Sequence, residues 1–579
     1  MTSNILETKW FPDVLANYTE NIFKNKSADT AITFINERLK VQTISYSQLY
    51  FRACRFSKML ESLSCKAGDY VLAYIDNSPS SITAMLSCLA KGIVWSSIGA
   101  DYSTEQFKHR LLDVRPRFIL ISGKFLTNSF LQIAKDSGWI NSKKYIIIIL
   151  DEDNEISISA VINRYSNFYF TSELIKKFPT VSKMRYQRQK FSEPILVMYT
   201  SGTTGQPKKL YQGLGVLLNH LKELSLHIDL KPREKILFFT QPSWMMWNWF
   251  VSALGLGANL VIYEGGAFWP QSDILIYLAA KYKINYLGAG ASYFEEVKNL
   301  GIQGKKYNLK KLKKIISTGS RLGEEYFQYL NSEIEKNASV VSMSGGSEIN
   351  GCFATGHPNL PIKPGRIQCK ALGVDLHVMD ELGNSVKNRY GELICMNSLP
   401  NLPIKNKSKN DFEKTSKNYL IKENTAWLHG DLAMIDSDGY VDIADRSDNI
   451  IVYRGVKIGP YEIKPTLSLF PEVKDFIFTS YFDSFKIQKT VLFLKLNVKI
   501  ANPEELGKKI KQSILTNLTR YHIPGFIFIV KDIPYTQNGK KADLLVKKIL
   551  NGKFIRTDVQ HIRNPSCLNE FQNFRKHNV

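Results

Sequence analysis

Cysteine is sparse in this chain and carries no pattern. Cys54, Cys65, Cys88, Cys352, Cys369, Cys395 and Cys567 are odd in number, scattered and never spaced as CxxC. That argues against a disulfide framework and for reduced thiols in a cytoplasmic protein. Long apolar runs are also missing. None approaches the roughly 20 residues that span a bilayer, and the longest candidate, Tyr145–Leu150 (YIIIIL), reads as a buried strand. Met1–Val14 has no basic region followed by an apolar stretch, so no signal peptide is expected. No fixed-period repeat is present, which speaks against a solenoid or propeller. Acidic residues are in deficit, 53 against 76 lysines and arginines, giving a formal charge of +23. Such an excess suits nucleic acid, an anionic surface, polyanionic small substrates or simply solvated lysine-rich faces. Runs such as Gly304–Lys314 (GKKYNLKKLKK) lack interleaved stacking aromatics, so no nucleic-acid partner is expected.

What the chain does contain is ample core material, 44% hydrophobic and 12% aromatic. Its 579 residues exceed what one core organises, so two or more domains are expected. Short β-branched runs alternate with helical patterns in the first half. Tyr70–Asp76 precedes the helical Ser78–Gly92, and Arg117–Gly123 precedes Leu126–Gly138. This alternation predicts βαβ units and parallel sheet. Further on, Glu324–Lys336 reads as a helix and Ala338–Ser344 as a strand. From Ala371 to Asp448 the pattern shifts to short strands with turn signals, interrupted by a polar surface loop at Asn401–Asn418. Beyond it lies a compact α+β pattern whose last strand, Phe526–Thr536, meets a helix at Lys541–Leu550. A domain boundary is expected near Arg446.

The most informative stretch is Val197–Leu210, VMYTSGTTGQPKKL. A strand gives way to glycines, hydroxyls and two lysines. Glycines allow several N–H groups to face one concavity, where an anion is stabilised. It is not a Walker sequence. As bare chemistry it fits either a phosphate loop or a solvated turn. A Ser–Glu pair at Ser347–Glu348 in SMSGGSEINGCF offers hard oxygen ligands suited to magnesium shared with phosphates. A lysine after Asn-Gly, Lys540 in IPYTQNGKKAD, would ordinarily be a solvated charge on a turn.

Together these motifs resemble, in order and spelling, the acyl-adenylate-forming superfamily of acyl-CoA synthetases, luciferases and peptide-synthetase adenylation domains. The resemblance runs from about Trp10 to the C-terminal tail. It implies a large N-terminal domain of stacked α/β layers with a small β-barrel (residues 1–445) and a mobile α+β lid (446–579). By the same resemblance Thr200, Ser201, Gly202, Thr203, Thr204, Gly205 and Lys208 wrap the ATP phosphates. Ser344, Gly345, Gly346 and Ser347 line the nucleotide and acyl side, and Glu348 with Thr204 holds Mg²⁺. Gly319, Ser320 and Arg321 flank adenine, Asp431 holds the ribose, Arg446 touches the nucleotide and Asp448 is the hinge. Lys540 is the implied catalytic lysine, with Lys541 its rival, and Gly455 borders the pantetheine tunnel.

Within the superfamily, longer segments such as FFTQPSWMMWNWFVSALGLGANLVIYEG look most like the branch that activates short β-keto acids such as acetoacetate. Trp244 and Trp247 would line the acyl side, while Ser344 and Gly345 stand where acetate-activating relatives carry tryptophan, freeing room for a longer acid. The implied activity is that of an acid–thiol ligase, using ATP, Mg²⁺ and CoA to form an acyl-AMP and then a thioester. A ligase for another short acid or for an acyl carrier protein, and a non-catalytic nucleotide-binding paralogue, are the competing readings. Three departures stand out. Lys457, grouped with the catalytic residues, replaces the usual arginine and loses its bidentate grip. Asp445 replaces a glycine. The match also begins almost at once, so the longer N-terminal segment of typical relatives is expected to be missing.

Overall fold

The computed structural model describes residues 4–24, 26–99, 102, 104–151, 165–179, 183–200, 208–404, 419–421, 425–454, 456–498, 500, 502–536, 539–554, 559 and 562–578. Two seven-stranded sheets dominate. In the first, the parallel strands Leu196–Thr200, Val94–Ile98, Tyr70–Tyr74, Phe118–Ser122, Ile146–Leu150 and Phe168–Phe170 lie in that spatial order, with Lys208–Gln212 antiparallel at one edge. The second orders Ser339–Ser342, Lys314–Thr318, Tyr286–Gly290, Lys235–Phe238, Asn259–Glu264 and Thr30–Asn36 in parallel, closed by antiparallel Val41–Ser45. The expected βαβ units are therefore present. Ile146–Leu150 is a strand between two parallel neighbours, which is why it reads as an unbroken apolar run.

The middle layer is helical. All twelve residues of Pro79–Ala90 and all eight of Met245–Ser252 are buried. Both sheets contribute to the cluster around them, Trp95 and Phe118 from one and Ile236 and Leu260 from the other. A helix apolar on every side belongs in such an interior. Ser78 caps the first helix through Ser81 N, with Pro79 at the first helical position. The helix expected at Glu324–Lys336 is shorter, Glu324–Tyr329, and passes into a π-helical turn at Leu330–Ile334.

Where a small barrel is expected, the described residues form an open five-stranded antiparallel sheet. Leu376–Met379, Gly391–Cys395, Ala426–Ile435 and Leu420–Ile421 follow one another, and Val441–Arg446 pairs with the long strand. Beyond it, Val473–Phe482, Gln488–Leu496 and Phe526–Val530 make a three-stranded sheet flanked by the helices Pro460–Leu467, Pro503–Asn517, Asp543–Leu550 and Leu568–Asn578. Its two hydrophobic clusters draw on residues from Ile451 onward. The all-cysteine inventory is free thiols. Among the described residues no helix is long and apolar enough to cross a membrane.

Candidate active site

In parallel α/β sheets the carboxyl ends of strands open onto the ligand crevice. The edge hairpin of the first sheet sits at such an end. Thr200 stands opposite Lys208, so residues 201–207 connect the two strands. Ser201, Gly202, Thr203, Thr204 and Gly205 fall outside the described residues; Thr200 and Lys208 are placed by their backbone. One carboxylate clamps the hairpin base. Asp113 accepts from Tyr199 Oη at 2.5 Å and from Lys209 Nζ at 3.1 Å, and Tyr199 and Lys209 are cross-strand partners. The Arg110 guanidinium stacks 3.5 Å from the Tyr199 ring centroid. Lys209 is thus engaged by Asp113.

The Ser–Glu pair follows the short strand Ser344–Gly346, which pairs with Gly351–Thr355 across a bulge at Ser344/Gly345. The two backbones lie so close that a β-carbon on Gly345 would run into the Gly351 carbonyl oxygen. Side chains grip the turn that follows. Gln212 Nε2 donates to the carbonyls of Ser347 and Glu348, Asn401 Nδ2 to that of Ile349, and His220 Nε2 to that of Asn350. Burial pushes the His220 imidazole down to about 4, so it is neutral with its proton on Nε2. Glu348 itself is oriented by Tyr419, whose hydroxyl donates to Oε1 at 2.7 Å. The Tyr419 ring stacks on Trp427 at 4.9 Å and 1°. Among the described residues no three His, Cys, Asp or Glu side chains gather as a metal cage. A single carboxylate is a donor Mg²⁺ can use where substrate oxygens complete its shell, since that ion binds through one or two carboxylates plus substrate oxygens.

Asp431 and Arg446 face each other on paired strands. Arg446 Nη1 donates to Asp431 Oδ1 at 3.1 Å and to the His429 carbonyl at 2.9 Å, and its Nε lies 3.9 Å from Asp448 Oδ1. Gly430 permits this approach. It has φ of 79°, and a β-carbon there would sit 2.9 Å from Arg446 Nη2. Burial opposes the charge on Arg446, yet Asp431, Asp448 and Glu348 hold its pKa above the usual arginine value. The structure therefore brings Glu348, Asp431, Arg446 and Asp448 into one electrostatic cluster.

The residues expected around adenine divide. Gly319 has φ of 91°, and its β-position lies 3.5 Å from the Trp244 ring. Ser320 and Arg321 are exposed, and Arg321 is anchored, with Nε 2.9 Å from Oδ1 of the buried Asp442. Asp442 also pairs with Arg366 and accepts from Tyr390 Oη at 2.6 Å. Of the two tryptophans, Trp244 is half-buried, whereas Trp247 is fully buried and donates from Nε1 to Asn77 Oδ1 at 2.9 Å.

The two lysines of the C-terminal turn are clearly separated. Lys541 Nζ donates to Asp475 Oδ1 at 2.8 Å and to the Phe476 carbonyl at 3.0 Å. Burial alone would lower its pKa, but Asp475 and Asp543 raise it. Lys540 is exposed, and among the described residues its ammonium group has no hydrogen-bond or ion-pair partner. Its turn is fixed by Lys540 N to Thr536 Oγ1, 3.1 Å, and the β-position of Gly539 lies 3.7 Å from Ser292 Oγ, just after the strand end at Gly290. Gly455 lies outside the described residues. Lys457 is placed by its backbone, opposite Val452. Sequence reasoning missed Asp113, Gln212, His220 and Tyr419, none of which stands inside a motif.

Residues 20–398 match the family model of the AMP-binding enzymes. The chain belongs to the AMP-binding enzyme family. Among relatives of this AMP-binding enzyme, acetoacetyl-CoA synthetase of Xenopus tropicalis is 30% identical over 98% of this chain and 86% of its own length. Acetoacetyl-coenzyme A synthetase of Rhizobium meliloti (strain 1021) is 29% identical over 98% and 87%. Among solved structures, acetoacetyl-CoA synthetase from Streptomyces lividans superposes with a TM-score of 0.88 at 26% identity, covering 98% of this chain and 88% of that one.

Proposed function

We propose that this AMP-binding enzyme activates acetoacetate with ATP and transfers the acyl group to CoA. What supports the reading is similarity to acetoacetyl-CoA synthetases along 98% of the chain, joined to the cluster of Glu348, Asp431 and Arg446. One carboxylate oxygen of the acid attacks the α-phosphorus. The bond to the bridging oxygen of the β-phosphate breaks, leaving acetoacetyl-AMP and pyrophosphate. The CoA sulfur, as thiolate, then attacks the acyl carbon, and the C–O bond to AMP breaks.

In this reading residues 1–445 form the adenylating domain and 446–579 a lid hinged at Asp448. Lys540, exposed and without a partner among the described residues, meets the charge that builds between carboxylate and α-phosphate, a preorganised electrostatic role. Thr200–Gly205 and Lys208 hold the β- and γ-phosphates. Asp431, held by Arg446, accepts from the ribose hydroxyls. Gly319 and Trp244 bound the space between adenine and acyl group, Ser344–Gly346 its floor, and Gly455 with Lys457 the CoA side. Mg²⁺, bound by Glu348 and Thr204, would supply charge neutralisation on the phosphates. A cytoplasmic location fits the free thiols.

The test is acid-dependent pyrophosphate release with acetate, acetoacetate, 3-hydroxybutyrate and butyrate, with and without CoA. Selective release with acetoacetate and a CoA thioester product is expected. Release without thioester would move the acceptor to a carrier protein, and silence with every acid would overturn the reading.

A further inference from the structure

Gln212 has no exposed surface and belongs to the strand that leaves the phosphate-loop connection, five residues beyond Pro207. Both ends of its amide are used on the other nucleotide element. Nε2 donates to the Ser347 carbonyl at 2.9 Å and the Glu348 carbonyl at 3.4 Å, while Oε1 accepts from Asn350 Nδ2 at 2.8 Å. The reverse orientation would set oxygen against two carbonyl oxygens, so the amide has one arrangement here.

The other side chains that hold this turn come from elsewhere. Asn401 reaches Ile349 from the segment that follows the strand Gly391–Cys395, and His220 reaches Asn350 from the helix Gly215–Lys222. Only Gln212, among these three, lies on a strand of the loop-bearing hairpin. Asn350 needs such support, because it stands at φ of 43°, where a non-glycine residue is uncommon. A shift of the hairpin strand would move the amide that fixes the carbonyls of Ser347 and Glu348. Conversely, a turn reset by a ligand on Glu348 would pull on the hairpin. Packed elements transmit such displacement because a fully buried, saturated hydrogen-bond group cannot slide without losing a partner.

We infer that Gln212 is a positioning residue that couples the phosphate-loop hairpin to the Ser347–Glu348 turn, so that an anion held at the first orders the second. The inference rests on the nucleotide-binding reading of these two elements. It does not require acetoacetate to be the acid.

Hydrogen exchange resolved by mass spectrometry tests it on the full chain, with inorganic tripolyphosphate and, separately, ATP with Mg²⁺ as probes. In the parent, tripolyphosphate should slow exchange in peptides covering 196–212 and also in peptides covering 344–351. Gln212→Met, of similar length but without donor or acceptor, should keep protection in 196–212 and lose it in 344–351. Gln212→Glu keeps an acceptor for Asn350 but sets a carboxylate against two carbonyls, and should lose it likewise. In pyrophosphate release, KM for ATP should rise about 10-fold while KM for the acid stays put; a merely structural role would lower the melting midpoint without that split. Protection of 344–351 retained in the variants overturns the coupling. So does parent protection confined to 196–212, a result that needs no variant to fold. Absence of protection by ATP anywhere in the parent would remove the nucleotide reading, and the coupling with it.

Discussion

The Tyr419 hydroxyl donates to Glu348 Oε1 at 2.7 Å, and the Tyr419 ring lies flat on Trp427. Tyrosine here fixes the direction of the carboxylate that the proposed function assigns to Mg²⁺. Groups that orient a metal-binding side chain typically matter by about 10–100-fold in metal affinity. Tyr419→Phe should therefore raise the Mg²⁺ concentration needed for half-maximal pyrophosphate release by about 10-fold. A Mg²⁺ titration at saturating ATP checks this, and an unchanged midpoint would detach Glu348 from the metal.

Neighbouring lysines should fail in different ways. Lys540→Ala removes an exposed charge that has no partner among the described residues, so acid-dependent pyrophosphate release should fall by about 10²–10³-fold with the melting midpoint unchanged. Lys541→Ala strands Asp475, which burial pushes up and Lys541 holds below the usual carboxylate range. Removing one member of a fully buried pair costs about 3–5 kcal/mol; this pair is partly exposed, so a smaller loss, in thermal stability, is expected. Calorimetry on both variants, alongside the activity assay, separates the two.

Asp113 joins both strands of the hairpin. Asp113→Asn keeps shape but loses the ion pair with Lys209, and Asp113→Ala loses the tyrosine hydroxyl as well. KM for ATP should rise in that order, the alanine variant by about 10-fold, the size of one charge-assisted hydrogen bond. Steady-state kinetics with ATP varied at saturating acid reads it directly.

A pH effect should follow from Asp543. Burial, with Asp445 and Asp475 nearby, raises its carboxyl from 3.8 to about 7, against a partial offset from Lys541. Between those values the folded chain holds a proton that the unfolded chain has released. Stability from this group is therefore present at low pH and lost as pH rises through about 7. Asp543→Asn should flatten the decline in melting midpoint between about pH 4 and 7 relative to the parent; parallel curves would assign the decline to other acids such as Glu223 and Glu264.

Gly345 bears on the acid pocket in a way that its neighbours do not. Its small size was read as room for a longer acid, but its β-position is also barred by the Gly351 carbonyl. Gly345→Ala should lower the melting temperature, at a cost of about 1–3 kcal/mol for overpacking, before any change in acid preference appears. Equal stability with altered acid selectivity would restore the simpler view.

The layered architecture was legible because period and length carry it. Tyr70–Tyr74 and Phe118–Ser122 alternate with helices in a pattern that only a parallel sheet explains. Open pairing of Val441–Arg446 with the long strand was not legible, since short antiparallel strands do not announce whether their sheet closes. In the site, motif spelling marked Glu348, Asp431 and Lys540 but not the side chains that hold them. Tyr419 follows directly on a stretch read as polar loop, and Gln212 looks like any polar residue in an edge strand. The spacing of Trp244 and Trp247 does not show how differently they sit: Trp244 is the half-buried, extended N-cap of the helix Met245–Ser252, whereas Trp247 inside that helix is fully buried and donates to Asn77.

Asp442 imposes an asymmetry on how this surface can change over generations. It faces Arg321, Arg366 and Tyr390 at once, and the Tyr390 ring in turn lies 5.6 Å from that of Tyr461. Losing either arginine leaves the carboxylate still paired, so Arg321 is free to drift. Losing the aspartate strands two cations together, a step that no single later replacement repairs. Variation is thus open on the cationic side of the knot and closed on the anionic side, and the loop that carries Arg321 inherits that permission.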